Sequence, residues 1–116
     1  MAKKRASVVS DLVPGQKARI ASLVSYQTGS VVSRAIISHR AGTVTVFAFD
    51  EGEGLSEHMA PYDALLQLLE GEAEVIVAGN GNLMEQGEAI MLPAGKPHAL
   101  QALGKCKILL TMIRSK

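Results

Sequence analysis

The sequence predicts an all-β domain, either a sandwich or a barrel. Short runs of β-branched or alternating apolar residues recur at close spacing, about eight in all, as they do in sandwiches and barrels. The segments between them are rich in Gly, Asn and Pro, which supply the backbone angles that turns require. The chain has 116 residues, near the commonest domain size and enough for one core. Its composition is 47% hydrophobic and only 3% aromatic, so that core must be built from Val, Ile, Leu, Ala and Met.

Residues 1–15 are expected to form a partly flexible lead-in closed by Val13-Pro14-Gly15, and residues 16–116 a single folded domain. Residues 17–24 (KARIASLV) fit a strand or one or two helical turns. Residues 31–37 (VVSRAII) are rich in β-branched side chains and read as strand. Residues 43–49 (TVTVFAF) form the cleanest strand pattern, bounded by Gly42 and by Asp50-Glu51-Gly52. Residues 50–57 (DEGEGLSE) read as an acidic, glycine-rich loop. Between Pro61 and Gly71 the spacing of Leu65, Leu66, Leu68 and Leu69 predicts an amphipathic helix, with Pro near its start and Gly after its end. Residues 72–78 alternate and precede Gly79-Asn80-Gly81-Asn82, where the Asn-Gly pair predicts a type I′ hairpin turn. Residues 83–85, 89–92, 98–103 and 106–113 complete the set of short strands.

Twelve basic and eleven acidic residues give a net charge of +1, which argues against a surface built to track nucleic acid. The basic cluster Lys3-Lys4-Arg5 reads as a solvated tail. No run approaches the roughly 18 apolar residues of a membrane helix, and no apolar segment of a secretion signal follows the basic cluster. A cytoplasmic protein without nucleic-acid or membrane partners is therefore expected. Cys106 has no second cysteine to pair with and is expected to be buried.

The candidate chemistry lies in the stretch Gly87–Ala102, GEAIMLPAGKPHALQA, and around His58. In the first, an apolar run ends at Pro93, a turn Ala94-Gly95-Lys96-Pro97 follows, and His98 heads the next run. Gly52 and His58 are separated by five residues. Gly87, Pro93, Gly95 and His98 follow the spacing G-x5-P-x-G-x2-H. Together with Gly71, these positions resemble the two motifs of a small single-domain cupin, a β-barrel of the jelly-roll type. The resemblance spans residues 52–102.

The resemblance implies a strand, not a helix, at residues 61–70. Ala64, Leu66 and Leu68 would then face inward, and Leu65 and Leu69 outward. An apolar outer face calls for cover, which a homodimer would provide. The resemblance also implies an interior pocket at His58, Ala60, Tyr62, Ala64, Leu66, Leu68, His98 and Leu100. Cupins that bind a metal typically use three His and one Glu. Here the second histidine position is Ala60, the glutamate position is Ala64, and the closing asparagine position is Ala102. Two of four ligand positions survive, His58 and His98, so the site for a divalent metal (Zn, Cu, Ni or Fe) is incomplete. On the same strand parity Tyr62 offers a phenol, whereas Asp63 should point the other way.

His39, in a turn, reads as a surface residue. Glu51, Glu53 and Glu57 read as a solvated loop, with closure of one of them over the pocket mouth as the alternative. The chain is thus expected to be a barrel whose interior binds a small molecule. The alternative is a metal-dependent enzyme of dioxygenase, isomerase or decarboxylase type acting on a small organic substrate.

Overall fold

A computed structural model describes residues 12–114; most of the lead-in, including Lys3-Lys4-Arg5, lies outside the described residues. Nine strands are present among the described residues: β1 (Val31–His39), β2 (Gly42–Phe49), β3 (Gly54–His58), β4 (Asp63–Glu70), β5 (Glu72–Val77), β6 (Asn80–Glu85), β7 (Ala89–Leu92), β8 (His98–Ala102) and β9 (Cys106–Ile113). They form two antiparallel sheets, one in the order β1-β2-β9-β4-β7 and the other in the order β3-β8-β5-β6. The chain passes repeatedly from one sheet to the other, and the two sheets close face to face as a jelly-roll barrel.

The main core lies between the sheets. Phe49, Leu66, Leu68, Val75, Met84, Leu92, Cys106 and Ile108 are buried there. The helical spacing at residues 61–70 is overruled by strand pairing. β4 lies between β9 and β7, with Leu66 opposite Leu110 on one side and Ile90 on the other. Ala64, Leu66 and Leu68 face the core, while Leu65 stays exposed. Gly71 is not a helix end but the turn from β4 to β5. Its φ is +86°, and a Cβ there would collide with the Lys105 carbonyl and with Cys106.

A second apolar cluster covers one end of the outer face of the five-stranded sheet. The ambiguous segment at residues 17–24 contains a 3-10 turn, Ile20–Leu23. Leu23 and Val24 pack there with Val46 and Ala48, and Ile20, Tyr26, Leu69 and Leu109 border them. Leu69 is therefore covered by the protein's own N-terminal segment. Polar contacts fasten that segment. The Lys107 ammonium donates to the Ala21 carbonyl at 2.6 Å, and the Tyr26 hydroxyl donates to Glu70 Oε2 at 2.6 Å. Burial and the neighbouring Glu70 carboxylate both push the Tyr26 phenol up from its ordinary pKa.

Two sequence expectations require correction. The hairpin turn is Ala78-Gly79, not Asn80-Gly81, because Val77 pairs with Asn80. Both turn residues have positive φ, +50° and +83°, as a type I′ turn requires. This register sets Met84 opposite Ala73, both in the core. A turn centred on Asn80-Gly81 would bring Glu88 opposite Ala73 and drive a carboxylate into that core. The acidic loop is also shorter than expected, since Gly54–His58 is strand β3. His39 is an exposed residue at the end of β1.

Gly71 and Gly87 separate strain from crowding. Both have positive φ, but the space beside Gly87 is open. Gly87→Ala is expected to cost about 1–2 kcal/mol from the left-handed conformation alone. Gly71→Ala adds a backbone collision and is expected to cost more than Gly87→Ala, a difference that urea denaturation of the two variants would measure.

Candidate functional site

The site is built where β3 ends and β8 begins. These strands are antiparallel neighbours, and His58 is the cross-strand partner of His98. The register shifts between Leu55 and His58, which turns the end of β3 toward β8. The two imidazoles meet edge to face, with ring centroids 4.3 Å apart and planes at 70°. Their Nε2 atoms are 3.1 Å apart.

The other ring nitrogens are also engaged. His58 Nδ1–H donates to the Ser56 carbonyl at 2.9 Å, and His98 Nδ1–H to the Lys96 carbonyl at 3.3 Å. A carbonyl can only accept, so these two contacts call for the proton on Nδ1 in each ring, and a hydrogen bond across the Nε2 pair would need one further proton. With Nδ1 protonated in both neutral rings, the two Nε2 atoms 3.1 Å apart would each carry a free lone pair. Burial, and secondarily the facing His58, hold His98 below the ordinary imidazole pKa, with the Lys96 carbonyl acting in the opposite sense.

The turn before His98 is pinned to the end of the β3–β4 connection. Gly95 N–H donates to the Ala60 carbonyl at 2.8 Å. Ala94 N–H donates to Asp63 Oδ1 at 2.9 Å. Gly95 holds φ +79°. Asp63 thus turns away from the imidazoles, as its parity requires, and its carboxylate holds the turn that aims one of them. The Pro97 carbonyl accepts from Ala78 N–H at 2.8 Å, which ties the same turn to the β5–β6 hairpin.

Behind the histidines lies a cavity between the sheets. His58, Ala60, Tyr62, Ala64, Leu66, His98 and Leu100 line it. Leu68 does not. It faces the same way as Ala64 and Leu66 but sits deeper along β4, packed in the core at 1% exposure. Sequence reasoning missed Leu55, Val75, Leu92, Ala99, Leu110 and Met112, which complete the wall. The polar lining side chains are His58, His98 and Tyr62, the last with its ring beneath the Arg114 guanidinium at 5.4 Å. Glu51, Glu53 and Glu57 do not line the cavity. The free space in the cavity is about 40 Å³.

The comparisons with known proteins agree with this architecture. A family model described as a cupin domain matches residues 45–113. The chain belongs to the cupin family. A conserved protein of unknown function from Streptococcus pyogenes is 26% identical, with a TM-score of 0.87 over 96% of this chain and 97% of that one. A cupin superfamily protein from Desulfitobacterium hafniense is also 26% identical, with a TM-score of 0.86 over 94% and 100% of the two chains. A cupin 2 conserved barrel domain protein from Leptotrichia buccalis is 36% identical, with a TM-score of 0.78 over 81% of this chain and 46% of that one. No curated protein matches the chain. No helix among the described residues is long and apolar enough to cross a membrane.

A metal held by this cupin as a resident group would need three or four protein donors. The two Nε2 atoms are spaced as two donors of one ion. No third His, Cys, Asp or Glu joins them among the described residues, and Ala60 and Ala64 present only methyl groups. The protein's own donor set therefore does not fit a resident divalent metal.

The His98 environment carries a pH signature. Its pKa is lowered in the fold, so the folded state favours the neutral ring. The associated stability is present above the ordinary imidazole value near 6.5 and is lost as pH falls through the folded value. His98→Gln is expected to flatten the decline in melting temperature between about pH 7 and pH 5 relative to the parent chain, as paired thermal melts across that range would show.

Proposed function

We propose that the chain is a small-molecule-binding cupin whose barrel interior holds a small, largely apolar ligand with its polar end at His58 and His98. The observation that carries this reading is the cavity's polarity. Leucine, valine, alanine and methionine form most of its wall, and the two imidazoles and Tyr62 supply its polar groups. Such a pocket orients an amphipathic small molecule by a few convergent polar atoms. The limited free space favours a polar head with a short hydrocarbon tail.

A thermal-shift screen across small acids, sugars and aromatics tests it. A true ligand at 100 times its Kd adds about 2.7 kcal/mol. Ala64→Leu fills the cavity from β4 and is expected to abolish the shift while leaving the chain folded. An unchanged shift in Ala64→Leu would place the ligand elsewhere, and no shift with any compound class would contradict the reading.

A second observation favours a homodimer. Ile37, Val44, Thr111, Leu65 and Met91 are successive cross-strand partners and form one row across all five strands of the larger sheet. Ile37, Leu65 and Met91 are 48%, 40% and 54% exposed. The N-terminal segment covers the neighbouring end of this face but not this row. A second copy packed across it would bury an apolar strip that is otherwise in water. Light scattering is expected to give a dimer at micromolar concentration and a monomer for Leu65→Lys. A monomeric parent chain would contradict the pairing.

A further inference from the structure

We propose that the free edge of β6 is a docking site for a cationic, extended peptide segment of another protein, which adds to the four-stranded sheet as a further strand. The groove beside this edge shares no lining residue with the histidine cavity.

The edges of the two sheets are not alike. β1 and β7 flank the five-stranded sheet, and β3 and β6 the four-stranded one. A free strand edge is a template for pairing, and proteins blunt it with bulges, short strands, Lys or Pro. β1 and β3 each carry a register shift, and β7 has only four residues. β6 instead runs in unbroken register with β5 over six residues and holds neither Lys nor Pro. The direction of its backbone groups follows from one end. Glu85 N–H donates to Glu88 Oε1 at 2.8 Å, and Glu88 N–H donates to the Glu85 carbonyl at 3.0 Å. The backbone groups of Glu85 therefore point away from β5. Alternate residues of a strand direct these groups to the same side, so Leu83 and Gly81 present N–H and C=O to the open edge.

The surroundings of that edge select the occupant. No Lys or Arg occurs between Arg40 and Lys96. The four-stranded sheet carries Glu57, Glu72, Glu74 and Glu85 without a Lys or Arg among them. Glu72 and Glu85 are direct cross-strand partners, an arrangement of like charges that costs stability and that an incoming cation would relieve. The Glu74 carboxylate leans across to β6, where a Cβ on Gly81 would collide with it. Leu83 stands between these acids at 73% exposure. On the other side of the edge, a groove of about 400 Å³ separates β6 from β7, lined by Asn82, Leu83, Met84, Glu88, Ala89 and Ile90. The alternate side chains of an added strand would thus meet carboxylates on the outer face and a largely apolar groove on the inner one. A segment that alternates Lys or Arg with apolar residues matches both, while its main chain pairs with β6.

Fluorescence anisotropy of the full chain with the labelled peptide Ser-Lys-Val-Arg-Val-Lys-Val-Ser tests the proposal. Saturable binding is expected. The double variant Glu74→Lys, Glu85→Lys should weaken it by about tenfold or more. The peptide Ser-Lys-Pro-Arg-Pro-Lys-Pro-Ser has the same charge but lacks the strand donors, and it should not bind. Leu83→Pro removes an outward N–H without taking a donor from the β5 pairing and should abolish binding. Peptide-induced shifts in the backbone ¹H–¹⁵N spectrum should centre on Gly81, Leu83 and Glu85. No binding of the valine peptide, equal binding of the two peptides, unchanged binding by the double variant, or shifts centred on His58 and His98 would overturn the proposal. Should Leu83→Pro fail to fold, the peptide pair and the charge variant decide the matter.

Discussion

The hydrogen bond from Gly95 N–H to the Ala60 carbonyl joins the two halves of the site, and the arrangement around it follows from that link. Ala60 stands between β3 and β4, and Gly95 between β7 and β8. The bond brings the connections together at one end of the barrel. Asp63 adds a second tie through Ala94 N–H. With both in place, β8 enters opposite the end of β3, and His98 meets His58 across the pair. The link requires a residue at position 95 that accepts φ +79°, which glycine does without the steric cost borne by residues with a Cβ.

Packing along the barrel is graded in the same direction. At the closed end, Phe49, Leu68, Cys106 and Ile108 are fully buried, and Met84 fills the space left by Ala73 across the β5–β6 pair. At the site end, Ala60, Ala64 and Ala99 stand where larger side chains would close the interior. A void lined by apolar groups forfeits dispersion contacts, so the small residues cost stability there. The N-terminal segment offsets some of that cost by burying Val46, Ala48 and Leu69 on the outside of the sheet. It is held by Tyr26, Glu70 and Lys107 rather than by strand pairing.

Much of this was legible in the residues. The turn Pro93-Ala94-Gly95-Lys96-Pro97 and its histidine are where the spacing placed them, and so are the inward faces of Ala64 and Leu66. β4 was not legible from periodicity. Its outward Leu69 packs beneath the N-terminal segment, so apolar residues fall on both faces and the alternation that marks a half-exposed strand is lost. The hairpin turn moved by two residues because the choice lay in a distant contact, Met84 against Ala73, that no local Asn-Gly signal encodes. Leu68 was assigned to the cavity because parity reports which way a side chain points but not how deep it lies. The β9 residues Leu110 and Met112 went unnoticed because only the folded sheet brings that strand beside β4.

What the histidine pair can bind turns on where its protons reside. With Nδ1–H of each ring on a backbone carbonyl, the neutral pair offers two acceptors to whatever enters the cavity. If instead one ring donated from Nε2 to the other, the pair would satisfy itself and present much less to a ligand. Long-range ¹H–¹⁵N correlation spectra of the imidazoles in the ligand-free protein, above neutral pH, separate these states. The account requires both His58 and His98 to be Nδ1–H tautomers with unprotonated Nε2. A protonated Nε2 shared between the two rings would contradict it.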